Sequence, residues 1–180
     1  MTEQDWLILL DGCRKQERDS QKRLYKLYYN YAMSVSTRYA PTFETAEEIT
    51  NDAFMKVFAR ISTHYTVGLS FKGWLRRIVV NTAIDKFRAT KNEPDILSLE
   101  KAAEVEHNDY IIEKMSAEYL LTLIQKLPTT YQKVFNLYVI DDYTHAEIAD
   151  MLQISEGASK STLSRARQKL KEMINITSVG

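Results

Sequence analysis

The sequence predicts an all-α fold: two small helical domains joined by an acidic linker. Three observations predict it. Glycine and proline are scarce, at five and three residues in 180, which denies a strand-rich fold the turns it needs. Apolar residues recur at helical spacing along most of the chain. Charge is segregated beneath a net charge of zero. Residues 71–91 hold six cations (Lys72, Arg76, Arg77, Lys86, Arg88, Lys91) against Asp85 alone. Residues 159–171 hold five cations (Lys160, Arg165, Arg167, Lys169, Lys171) and no anion. Between them, residues 92–118 carry eight anions against two cations. Local charge decides phosphate binding, because exposed charges are screened beyond about 10 Å at ordinary salt.

The elements follow in order. Leu24, Leu27, Tyr28, Tyr31 and Val35 predict an amphipathic helix over 20–39, stopped by Pro41. Thr45 with Glu48 resembles a capping box opening a second helix, whose apolar face is Ile49, Ala53, Phe54, Val57, Phe58 and Ile61. Met55 and Ile61 are assigned to packing. Phe54, Val57 and Phe58 exceed what so small a domain can bury, so part of this face is expected to be exposed beside Asp52 and Lys56, as a partner-binding patch requires. A loop over 64–70, containing Gly68, leads to a third helix over 71–90. There Arg77, Asn81 and Asp85 lie at i, i+4 and i+8, with Arg88 three further on, forming one polar face opposite Leu75, Ile78, Val79 and Ala83. Trp74 is expected in the core.

The Asn92-Glu93-Pro94-Asp95 run breaks the pattern and opens the linker, 92–109. A helix resumes near Tyr110 and runs to Gln125, and Pro128 starts another. The expected boundaries are thus 1–91, 92–109 and 110–180. No run of about 18 apolar residues is present, so no membrane insertion is expected. The single cysteine, Cys13, cannot form an internal disulfide, which with the absence of a signal peptide points to the cytoplasm. His64, His107 and His145 are scattered, Cys13 has no partner at metal-ligand spacing, and no phosphate loop is present. Neither an enzyme nor a cofactor-bound protein is expected; for His145 a surface or capping role suffices.

The end of the chain carries the clearest chemistry. Tyr131, Val134, Phe135, Leu137 and Tyr138 predict a buried face, and Asp141-Asp142-Tyr143 a turn. Thr144 with Glu147 makes a capping box. Ile148, Ala149 and Leu152 face inward, Ile154 plugs the turn, and Ser155 caps a second helix kept slim by Gly157-Ala158. Lys160, Ser161, Ser164 and Arg165 then form an exposed stripe, with Leu163, Ala166 and Leu170 facing the core. That is the pattern of a helix-turn-helix that places one helix in the DNA major groove, where Arg can read guanine and Lys or Ser reach base edges or phosphates. A merely solvated basic face is the plainer alternative. The capped turn, the small residues and the cation placement together favour DNA.

These residues closely resemble region four of bacterial sigma factors of the extracytoplasmic-function class: LPTTYQKVFNLY, YTHAEIADMLQIS and EGASKSTLSRARQKL. The first half agrees independently. LYKLYYNYAMSVSTRYA resembles region 2.1, AEEITNDAFMKVFARI region 2.2, and FKGWLRRIVVNTAIDKFRATK regions 2.3 and 2.4. Two departures stand out: Gln153 where the turn usually has Gly, and Ser159 where a small aliphatic residue often packs.

The resemblance implies a subunit that binds core RNA polymerase, through its clamp helices and flap, and directs promoter-specific initiation. It implies minus-35 contacts from Lys160, Ser161, Ser164, Arg165 and Arg167. It gives Asn81, Asp85 and Arg88 to minus-ten recognition, and Arg76, Arg77 and Lys86 to the strand backbone. The loop over 64–72, with Tyr65 and Phe71, would take an unstacked base. Asp52, Phe54, Lys56 and Val57 would dock polymerase. An anti-sigma factor, often membrane-bound, is implied as a further partner. For the acidic linker a solvating tether and a polyanion mimic in polymerase's basic channels both stay open.

Overall fold

The computed structural model describes residues 2–66, 68–90 and 117–177, and all their regular structure is helical. The acidic segment 92–109 and the expected helix start at Tyr110 lie outside the described residues. The chain divides into two units, Met1–Thr90 and Lys91–Gly180.

The first unit contains α1 (Glu3–Arg14), α2 (Arg18–Ser36), α3 (Phe43–His64) and α4 (Phe71–Thr90). Thr2 and Asp5 cap α1 reciprocally, each backbone N–H donating to the other's side chain at 3.0 and 3.1 Å. Gly12 is buried where α1 turns back onto α2; a Cβ there would fall on Ser20 Oγ and 2.7 Å from Ser20 Cβ. The α2 helix ends at Ser36, before Pro41 can act on it, so Pro41 lies in the connection instead of stopping the helix. Thr42, not Thr45, caps α3: Thr45 N–H donates to Thr42 Oγ1 at 3.2 Å, and the helix begins at Phe43. Glu48 is thereby released from capping and pairs with Lys86 of α4.

The core of this unit joins Leu10 and Leu24 to Ile49, Ala53, Phe54, Val57 and Ile61 of α3 and to Leu75, Val79, Ala83 and Ile84 of α4. A buried hydroxyl pair, Ser36 with Thr50 at 2.8 Å, satisfies both polar groups inside it. Phe54 and Val57 are fully in this core, whereas Met55, expected to pack, is 70% exposed. The helical period decides this. Positions 49, 53, 54, 57 and 61 line one stripe, and position 55 points the other way.

The second unit contains α5 (Ala117–Gln125), α6 (Thr129–Phe135), a π-helical turn (Asn136–Ile140), α7 (His145–Leu152) and α8 (Glu156–Thr177). Leu123, Ile124 and Leu127 pack on Ala166, Leu170 and Ile174 of α8, with Tyr131 and Phe135 alongside. Val134 and Leu137 are fully buried, but Tyr138, expected in the same face, is exposed. The π-helical turn explains the shift. Its extra residue per turn, closed by Asp141 N–H donating to Asn136 O at 3.0 Å, rotates Tyr138 and Val139 out of the apolar stripe.

Gln153 joins α7 to α8 with φ 54° and ψ 51°, the left-handed region. The position therefore does need positive φ, and a Gln there is strained. Replacing Gln153 with Gly is expected to raise the unfolding free energy of this unit by about 1 kcal/mol, because Gly enters this region without a Cβ clash. Chemical denaturation of parent and Q153G measures it. An unchanged or lowered midpoint would contradict the strain.

Candidate nucleic-acid interface

The helix-turn-helix is built from its caps outward. Thr144 N–H donates to Glu147 Oε2 at 2.8 Å and Glu147 N–H donates to Thr144 Oγ1 at 3.3 Å, which satisfies donors that α7 would otherwise leave open. Ile148 and Leu152 are buried, and Ile154 N–H donates to Ala149 O at 3.1 Å across the turn. Ser155 Oγ accepts from Ala158 N–H at 3.0 Å and caps α8. Leu163, Ala166 and Leu170 bury one side of α8. The exposed side carries Lys160, Ser164 and Arg167, which share a stripe at i, i+4 and i+7. Ser161 and Arg165 flank that stripe half-buried, and Ser161 Oγ donates to Ala158 O at 3.1 Å. All five expected residues thus lie on one helix, three exposed and two at its shoulder.

In the first unit, α4 carries the second face. Leu75, Ile78, Val79 and Ala83 are buried, and Arg77, Asn81, Asp85 and Arg88 are exposed opposite them, with Arg76 half-buried at the edge. Two ion pairs tie this face to α3: Lys56 Nζ to Asp85 Oδ2 at 3.1 Å, and Lys86 to Glu48. Lys56 and Asp85 were expected to meet different partners, and here they meet each other. Asp52 is exposed and Lys56 half-exposed, but Phe54 and Val57 have no surface to offer; the apolar exposure beside them comes from Met55 and the half-buried Phe58, with Phe43 exposed at the start of the helix.

The aromatic loop also departs from expectation. Tyr65 and Phe71 are both 5% exposed, too buried to receive a base. Both rings pack on Trp74, and Phe71 also packs on Trp6 of α1 and Tyr28 of α2. Tyr65 Oη donates to Leu69 O at 2.8 Å, and Arg14 donates to Tyr65 O at 3.1 Å. The rings therefore fix the loop, and among its described residues Thr66, Gly68, Leu69 and Ser70 are exposed.

Cys13 is fully buried, and burial pushes its thiol up to about 11, so it stays protonated near neutrality. Among the described residues no cluster of His, Cys, Asp or Glu could hold a metal ion, and no helix is long and apolar enough to cross a membrane. The sequence also missed His145. Its Nδ1 lies 2.9 Å from Ser159 Oγ, and its ring stacks on Tyr138 at 4.4 Å. The available signal was a Ser at an inward-facing position of α8.

Comparison with known proteins covers both faces. Residues 24–93 match the family described as Sigma-70 region 2, and residues 117–170 match Sigma-70, region 4. The chain is 27% identical over 170 residues to the ECF RNA polymerase sigma factor BldN of Streptomyces coelicolor, covering 92% of this chain and 64% of the relative's length. It is 25% identical over 175 residues to the ECF RNA polymerase sigma factor SigW of Bacillus subtilis, covering 89% of this chain and 92% of that one. Among solved structures, the sigma factor RpoE of Bartonella quintana, crystallised with the anti-sigma factor NepR, shares the fold at a TM-score of 0.51 and 20% identity, over 86% of this chain and 96% of that one.

One ion pair sits within the α8 stripe itself: Lys160 Nζ is 2.6 Å from Glu156 Oε1. Lys160 beside it holds the Glu156 carboxyl below the usual range, and this carboxylate, an anion at neutral pH as any exposed Glu is, partly cancels the cation. Glu156→Gln is expected to tighten binding to nonspecific duplex DNA severalfold. Lys160→Ala is expected to weaken it and to lower the slope of log affinity against log salt by about one. Fluorescence anisotropy across a salt series reads both; equal affinities for parent and E156Q would refute the cancellation.

Proposed function

This chain belongs to the sigma-70 family, in its extracytoplasmic-function branch, and from that membership we propose how its two faces divide the work of promoter recognition. The protein is a sigma factor that directs core RNA polymerase to promoters, and bond-making belongs to the polymerase. The α8 stripe enters the major groove of the minus-35 element: Arg165 and Lys160 read base edges, and Ser161, Ser164 and Arg167 fix the register on the phosphates. The α4 face meets the minus-ten element. Asn81, Asp85 and Arg88 recognise bases, while Arg76 and Arg77 hold the strand backbone once the duplex opens. Exposed residues of that region such as Thr66, Gly68, Leu69 and Ser70, not the buried Tyr65 and Phe71, are open to a strand.

Core polymerase docks on the outer side of α3, where Asp52, Met55 and Lys56 offer a mixed charged and apolar surface. Phe54 and Val57 shape that surface from beneath. An anti-sigma factor is a fitting regulator, as NepR is of the Bartonella neighbour. A protein with this role acts where the chromosome and polymerase are, in the cytoplasm.

The observation that carries this reading is the pairing of two separate cation-bearing helix stripes, α4 and α8, each set opposite a buried stripe in its own unit. A stand-alone regulator would need only the second. Run-off transcription from a genomic-fragment library, with purified chain and core polymerase, tests it. Discrete promoter-initiated transcripts are expected. Arg165→Ala should lower discrimination between matched and mismatched upstream elements by about tenfold or more, and the N81A/R88A pair should abolish open-complex formation while leaving polymerase binding intact. DNA binding that needs no polymerase, with no initiation, would favour the stand-alone regulator.

A further inference from the structure

Ser159 is the feature of the helix-turn-helix that the promoter-reading account leaves unexplained. It is fully buried in the first turn of α8, immediately before Lys160. A buried hydroxyl needs a partner, and a helical Ser usually finds one in the preceding turn of its own helix. Ser161 does so, donating to Ala158 O at 3.1 Å. Ser159 instead pairs across to α7, its Oγ 2.9 Å from His145 Nδ1. His145 is the first residue of α7, just after the cap Thr144. Its ring is held from the other side by Tyr138 of the π-helical turn, stacked at 4.4 Å and 21°. Three elements therefore meet at one imidazole.

We infer that the His145–Ser159 hydrogen bond is a positioning contact that sets the angle of α8 and thereby the base preference of the helix. The inference rests on the reading of α8 as the promoter-reading helix. Its logic is mechanical. The α7–α8 pair is joined covalently only through the strained turn at Gln153, and the hydrogen bond adds a second, directional tie near the start of α8. An apolar contact at position 159 would tolerate sliding, whereas a hydrogen bond weakens steeply away from its preferred distance and angle. Arg165 lies six residues beyond Ser159, about 9 Å along the axis at 1.5 Å per residue. A tilt of about 10° at Ser159 would move that side chain by about 1.6 Å, enough to break a base contact that needs about 3 Å. The stack on Tyr138 supplies the rigidity: it fixes the ring plane, so the nitrogen cannot follow a moving Ser159.

The contact therefore controls discrimination more than overall attraction. Phosphate binding by Lys169 and Lys171 tolerates a small tilt, because it is electrostatic and sequence-independent. Base readout does not.

The test is selection by the full chain with core polymerase from a duplex library randomised across the upstream promoter element. Sequencing gives the enrichment of the preferred sequence over its single-base variants, and thermal unfolding is followed in parallel. S159A and H145F are expected to reduce that enrichment ratio about tenfold, with total DNA captured changing less than threefold. H145F keeps an aromatic ring on Tyr138 and loses both ring nitrogens, including the Nδ1 that meets Ser159. H145N, whose amide reaches the place of the ring Nδ1 but has no ring to stack on Tyr138, is expected to fall between the parent and H145F. Should either single variant unfold, the H145F/S159V pair, which fills the site with an apolar contact, is expected to fold and still show the flattened preference. A parent-like ratio in folded S159A, H145F or the pair would overturn the inference, as would H145N failing as badly as H145F. If the parent chain itself enriches no sequence, the promoter reading fails first, which is a different result from variants that match a selective parent.

Discussion

A helix that buries one stripe can present only the opposite one, and this constraint governs both faces of the protein. On α8, Leu163, Ala166 and Leu170 are committed to the core, which leaves Lys160, Ser164 and Arg167 facing out. On α4, Leu75, Ile78, Val79 and Ala83 do the same for Arg77, Asn81, Asp85 and Arg88. Burying an aliphatic side chain is worth about 1.5–3 kcal/mol, whereas an exposed ion pair contributes about 1 kcal/mol or less. The apolar stripe therefore sets the orientation of each helix, and the polar stripe is free to serve nucleic acid. A polar substitution on the outer stripe can change recognition with little effect on folding.

Charge is distributed to the same end. The chain is neutral overall, yet each of the two helices that present these stripes carries a cation excess, five cations to one anion on α4 and five to two on α8. Several are already partnered on the surface: Lys56 with Asp85, Lys86 with Glu48, Lys160 with Glu156. Such exposed pairs exchange readily for phosphate or a partner's carboxylate, since little stability is lost in breaking them. The Lys56–Asp85 pair has a further consequence. It joins the helix proposed to dock polymerase to the face proposed to read the minus-ten element, so a partner that engages Lys56 also changes the surroundings of Asp85.

Much of this was legible in the sequence because the signals were local. Thr144 and Glu147 announce the start of α7, and the spacing of Leu163, Ala166 and Leu170 announces the inner side of α8. What was not legible depended on tertiary choice. Thr42 and Thr45 are both plausible caps, and only the path of the chain before α3 selects the first. Tyr65 and Phe71 sit beside a polar loop, yet Trp6 from the distant α1 draws them inward. Phe54 and Val57 could not be told from surface apolar residues while the number of helices packing on α3 was unknown. Tyr138 left its predicted face because the π-helical turn shifts the register by one residue, a change that no propensity announces.

The central claim is that two separate faces read two separate promoter segments for one polymerase. Footprinting on a single selected promoter, with permanganate probing of unpaired thymines, addresses it directly. With core polymerase and the parent chain, the account predicts a protected upstream duplex segment and a distinct downstream segment of reactive thymines. The first should be lost on changing Arg165, and the second on changing Asn81 and Arg88. One protected segment, equally strong without polymerase and with no reactive thymines, would contradict it.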